Sequence, residues 1–179
     1  MCLTCTTVMA QPNAAPTITF LARSYHLGSY NQQPNPMWEF VSGNETVETW
    51  TTLLTLIDRP EARTLAELDR LAEGVKSTYQ SHGGKVLMAK TMQDANGTKY
   101  DYTVVAFDEP AKHRYELNFV KAALGPKNAY IAVFGAWVSD PKDYVAKAKA
   151  FLNEHSDEIG KALEKTAFPE MSKLPRKPF

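Results

Sequence analysis

The chain has 179 residues, 44% hydrophobic and 22% charged, which is enough for one proper core and too apolar for a disordered segment. Twenty Lys and Arg balance twenty Asp and Glu, so nothing in the charge points to nucleic acid as the partner. No apolar run reaches membrane-spanning length.

The only cysteines, Cys2 and Cys5, stand at C-x-x-C spacing in the first residues, without the strand-to-helix setting of a redox motif. Val8-Met9-Ala10 fits the small-residue pattern ahead of a signal-peptidase cut, although the apolar run is short and no basic residue precedes it. The expectation is a truncated signal peptide over residues 1–10, inside a leader and linker covering 1–16. Export to the periplasm or out of the cell goes with it, and the alternative is a cytoplasmic chain with a frayed terminus. A cut after Ala10 would leave a cysteine-free protein, without a disulfide, a thiol nucleophile or cysteine-bound zinc.

Thr17 to Arg23 reads as a first strand, followed by a polar loop over Gly28 to Pro36. Met37 to Val41 is a short second strand. Trp50 to Ile57 is a third, with alternation placing Trp50, Thr52, Leu54 and Leu56 on one face. Thr64 and Glu67 form a capping box ahead of a helix whose apolar stripe is Leu65, Leu68, Leu71, Ala72, Val75 and Tyr79. His82-Gly83-Gly84 ends it.

Lys85 to Val138 then reads as four strands in a meander. Asn96-Gly97 supplies the positive φ of a tight hairpin turn between the first two. Asp108 to Lys112 turns the chain again, with Pro110 fixing its own φ. In the third strand Tyr115, Leu117 and Phe119 alternate with Arg114, Glu116 and Asn118. The fourth, Ala129 to Val138, is apolar on both faces, as a central strand covered on both sides should be. Asp140-Pro141 starts a second helix with its stripe on Tyr144, Ala148, Phe151, Leu152, His155, Ile159 and Leu163. It ends near Thr166 or breaks near Ser156. Residues 17–168 form a single domain, and 169–179 a basic, Pro-rich tail expected to be extended or disordered.

The element order is β-β-β-α-β-β-β-β-α, which specifies an α+β fold: an antiparallel sheet of about six to seven strands with helices packed on its faces. This order resembles the PsbP-like fold, over most of residues 17–166. The stretch Asn44-Glu-Thr-Val-Glu-Thr-Trp-Thr-Thr-Leu-Leu-Thr55 is also similar to a segment of small exported bacterial proteins of that type. The resemblance implies a non-enzymatic module that binds or supports a larger assembly. It carries over no functional residues.

The four histidines stand at no metal-ligand spacing. Asp108, Glu109 and His113 gather around one turn and are the candidate for weak metal binding or acid–base work, against the plainer alternative of a solvated turn. Tyr25, Tyr30, Trp38 and Trp50 crowd the N-terminal half as a candidate ligand or partner patch, against the plainer alternative of core aromatics. No G-x-S-x-G, Walker or G-x-G-x-x-G pattern is present. The expectation is a binding or assembly-support module with another protein as partner, no cofactor, no catalytic residue and an open oligomeric state. The first alternative is a carrier of a small hydrophobic ligand, the second a metal-dependent or hydrolytic enzyme.

Overall fold

In the computed structural model, which describes residues 15–32 and 34–176, eight strands pair into one antiparallel sheet flanked by two α-helices. In chain order they are β1 (Thr17–Phe20), β2 (Arg23–Asn31), β3 (Met37–Ser42), β4 (Thr52–Arg59), α1 (Leu65–Ser81), β5 (Lys85–Gln93), β6 (Lys99–Glu109), β7 (Arg114–Leu124), β8 (Ala129–Ser139) and α2 (Tyr144–Lys165). Across the sheet the order is β1-β2-β3-β4-β8-β7-β6-β5. Each half is a meander, since short connections make successive strands antiparallel neighbours. The β4–β8 ladder, from Thr52↔Ala136 to Arg59↔Ala129, joins the halves.

The α+β class and the second meander follow the sequence, but the strand count of six to seven is corrected to eight. The missed strand is β2. It escapes the sequence patterns because its turn uses Leu21 and Ala22, both at positive φ (48° and 58°), between the partners Phe20 and Arg23. This is the two-residue primed-turn geometry that Asn-Gly normally supplies. β2 also carries a bulge where its register shifts between Leu27 and Ser29. At that point a Cβ on Gly28 would lie 3.2 Å from Val41 and 3.3 Å from Val47, so glycine permits the close approach. Much of the expected Gly28–Pro36 loop is therefore strand, as far as Asn31.

The two helices lie on opposite faces. Leu117, Phe119, Ala132 and Phe134 point to the α2 side, together with Trp38, Phe40, Leu54 and Leu56 from the first meander. Val120, Ala122, Ile131 and Val133 alternate with them and meet Leu68 and Leu71 of α1. Each such large apolar side chain taken out of water contributes roughly 1.5–3 kcal/mol. In α1 the capping box closes as the sequence specifies, with Thr64 accepting from Glu67 N and Glu67 accepting from Thr64 N.

At α2 the cap moves. Asp140 accepts from the Lys142 and Asp143 N–H groups in the preceding turn, and Asp143 is the N-cap, accepting from Ala146 N. The helix passes Ser156 without a break. Buried Lys121 donates its Nζ to the carbonyls of Leu163 (3.0 Å) and Glu164 (3.3 Å), satisfying helix-end acceptors.

The tail, expected to be extended or disordered, is extended at Leu174 and packed against the first meander as far as Arg176. Leu174 is buried, Trp38 Nε1 donates to Pro175 O at 2.6 Å, and Arg176 stands 3.8 Å from Asp58. A fully buried indole N–H needs an acceptor, and the tail supplies it. Lys177, like Cys2, Cys5 and the expected cut after Ala10, lies outside the described residues. Among the described residues no helix is long and apolar enough to cross a membrane.

Candidate functional site

α1 packs chiefly on β5, β6 and β7. The same sheet face extends past it across β8, β4 and β3, and a groove of ≈ 650 Å³ opens there. Its floor is Leu53, Thr55 and Ile57 of β4 with Val133 and Gly135 of β8. Met37 and Glu39 lie at the β3 end. Tyr79 and His82 of the α1 terminus, with Phe107 of β6, line the other side.

Gly135 lets an aromatic wall close over the strand. A Cβ there would come within 3.1 Å of Asn118 Oδ1 and 3.3 Å of the Trp50 ring. Trp50 lies against Trp137 with ring centroids 5.3 Å apart. The Arg114 guanidinium sits 3.5 Å from the Trp137 ring and also pairs with Glu109 at 2.9 Å.

The groove is acidic. Its lining includes Glu39, Asp108, Glu109 and Glu116 and, among the described residues, no lysine or arginine. Two of these carboxylates are engaged elsewhere. Glu109 is in ion pairs with Lys112 and Arg114, and Asp108 takes a hydrogen bond from Tyr115 at 3.1 Å. Glu116 is different. Its Oε1 accepts from Asn118 Nδ2 at 2.9 Å, and among the described residues it has no ion pair. Burial pushes its carboxyl above the ordinary range and the Glu109 charge adds to this, against the Asn118 hydrogen bond and the Arg114 charge. Glu39 accepts from Ser29 Oγ at 2.6 Å.

The register gives the distance between them. Glu39 shares a cross-strand row with Thr55, Val133 and Val120, three strands across, and Glu116 is four residues along β7 from that row. At roughly 4.8 Å per strand and 3.3 Å per residue, the backbone positions of Glu39 and Glu116 stand about 20 Å apart on a diagonal. The C-terminus of α1 adds to the negative potential, because no basic residue occupies its last turn.

The sequence candidates are placed apart. Tyr25 and Trp38 are buried on the α2 side, where Tyr25 OH meets Thr52 Oγ1 at 3.0 Å and Tyr30 stacks on Trp38 at 5.3 Å. Trp50 is on the opposite face. Alternation put it beside Leu54, but β4 begins at Thr52, and the residues before a strand are free of its alternation. At the β6–β7 turn His113 is left-handed (φ 47°), with its ring edge-on to Tyr144 at 5.9 Å. Among the described residues no group of three or more His, Cys, Asp or Glu is placed to hold a metal ion.

Glu39, Glu116, Asn118, Gly135 and Trp137 were not singled out from the sequence. The signal that finds them is the polar face of β7: Glu116 and Asn118, on a strand near the sheet centre, line the groove beside the stretch of β7 that α1 packs on. A second, smaller cavity of ≈ 520 Å³ lies between the β7–β8 turn and the segment after α2, with Tyr130 and Phe168 edge-on at 6.2 Å. No family model matches the chain, and no curated protein matches it.

Proposed function

We propose that this protein is a non-catalytic binding or assembly-support module, exported to the periplasm or secreted, which takes a segment of another protein into the groove beside α1. The observation that carries the reading is that groove: open along its length, walled by Trp50, Tyr79 and Phe107, and holding the Glu116 carboxylate without an ion pair among the described residues. The enzyme alternative is disfavoured by the engagements of its three residues. Glu109 is tied to Lys112 and Arg114, Asp108 to Tyr115, and His113 is turned onto Tyr144. An antiparallel sheet with a helix on each face supports the PsbP-like reading, with one strand more than the sequence pattern contained.

A photo-cross-linking residue at Met37, in the groove, and another at Lys149, exposed on α2, test the reading in the native cells. The expected result is one protein joined reproducibly at Met37 through a defined segment, and not at Lys149. Identical products at both positions, or none at Met37, overturn it. Export is checked separately by the first residue of the recovered chain, expected to be Gln11.

Carriage of a small hydrophobic ligand is the second reading, favoured by the ≈ 520 Å³ cavity with Tyr130, Phe168 and Met171 in its wall. A lipophilic fluorescent probe displaced by filling that cavity with Ala167→Phe, and unaffected by substitutions in the groove, would move the function there.

A further inference from the structure

We propose that the groove receives an extended basic segment carrying two cationic side chains about six residues apart, one taken by Glu116 and the other by Glu39. This deepens the binding reading above and rests on it. The span follows from geometry: the backbone positions of the two glutamates are about 20 Å apart, and an extended chain advances roughly 3.3 Å per residue. The path runs diagonally over the floor, so side chains rather than backbone ladders make the contacts. Charge complementarity selects the occupant. Among the described residues the lining contributes carboxylates and no lysine or arginine, and the last turn of α1, without a basic residue, adds its own negative pole.

The protein's own Arg114 displays the mode of recognition. Its guanidinium lies 3.5 Å from Trp137 while binding Glu109 at 2.9 Å. An incoming lysine or arginine beside Trp50 would repeat that arrangement one step further along the groove, with its aliphatic stem on the ring and its charge on Glu116. The contrast with α2 is instructive. There, the helix-end carbonyls already have their cation, Lys121. At α1 the end carbonyls are taken instead by neutral donors, the N–H groups of His82, Gly83 and Gly84 and the Ser81 hydroxyl, with the His82 ring 2.8 Å from Thr78 O.

The test uses a fluorescein-labelled peptide of about ten residues, with two lysines six positions apart in a Ser/Thr/Val background, and fluorescence anisotropy with the full chain. Controls are a peptide with norleucine for both lysines and one with the lysines two positions apart. The two-lysine peptide is expected to bind at least tenfold more tightly than either control. Glu116→Gln and Glu39→Gln are each expected to weaken it about tenfold, and Glu73→Gln, on the exposed side of α1, to leave it unchanged. Circular dichroism confirms that the variants are folded. Equal binding of the lysine and norleucine peptides, or equal binding by wild type and both Gln variants, overturns the proposal. If Met37 still cross-links a partner in that case, the binding reading survives and only the basic occupant is lost. Loss of the cross-link as well removes both.

Discussion

Replacing Leu174 with Ala tests how the C-terminal segment is held. Leu174 is 6% exposed and packs in the core on the α2 side, next to the Trp38 Nε1 to Pro175 O hydrogen bond. The substitution removes three buried carbons, and at about 0.8 kcal/mol each the loss is about 2 kcal/mol. The segment follows the last helix, so this loss appears as local opening rather than as global unfolding. At about 1.4 kcal/mol per factor of ten, the open population rises roughly 30-fold. Trypsin cleavage after Lys173 reads that population when reclosing is fast relative to cutting. The expected result is a rise of that size, followed by mass spectrometry, with little change in the midpoint of the main thermal transition. Trp38→Phe, which deletes only the donor to Pro175 and some packing, should give a rise of about fivefold, since a net hydrogen bond is worth about 1 kcal/mol. A cleavage rate within threefold of wild type for Leu174→Ala would refute the reasoning, because it would mean that burial of this residue does not hold the segment.

Three further outcomes are expected. Glu116→Gln should raise Tm at pH 7 by about 2 °C, partial exposure keeping the effect under about 1 kcal/mol. The sign follows from the carboxyl being raised: the unfolded chain ionises first, near 4.5, so the ionised group opposes folding above that range and not below it. Thermal scans from pH 4 to pH 7 should therefore show the gain closing as pH falls toward 4. Gly84→Ala should lower stability by roughly 1–3 kcal/mol in denaturant titration, since its Cβ would come within 2.9 Å of Phe107, Val105 and the Tyr79 carbonyl, and a backbone atom cannot yield as a side chain can. Thr64→Ala should lower Tm by about 3 °C through loss of roughly 1 kcal/mol of capping, and Thr64→Ser should restore most of it.

The elements that were legible in the sequence are those with local causes. Gly97 at φ 78° and the Asp94 carboxylate accepting from the Asn96 and Thr98 N–H groups specify the β5–β6 turn within five residues. The capping box specifies the start of α1 within four. What was not legible depends on partners distant in the chain. The Leu21-Ala22 turn contains no residue that favours a left-handed backbone, so its geometry is imposed by the strands it joins. The tail is anchored by a hydrogen bond 137 residues away along the chain. The site was obscured for the same reason. Tyr25 and Trp38 carry an aromatic signal but are consumed by the core, whereas Glu116 and Gly135 acquire meaning only once α1 is seen packed over Val120, Ala122, Ile131 and Val133 with the groove beside it.

The β4–β8 ladder has a consequence for how the molecule comes apart. Across that seam each half extends an arm over the other. α1 belongs in sequence to the first meander but packs on the second, while the segment after α2 follows the second meander and returns to Trp38 and Asp58 of the first. The halves are thus interlocked by exchange of arms rather than merely apposed. Once the tail arm has opened locally, separating them still requires the eight ladder pairs and the α1 contacts to yield together. The persistence of the native state against slow unfolding therefore depends on this crossed arrangement. A chain cut in the α1–β5 connection should remain assembled as two fragments, each held by the arm of the other.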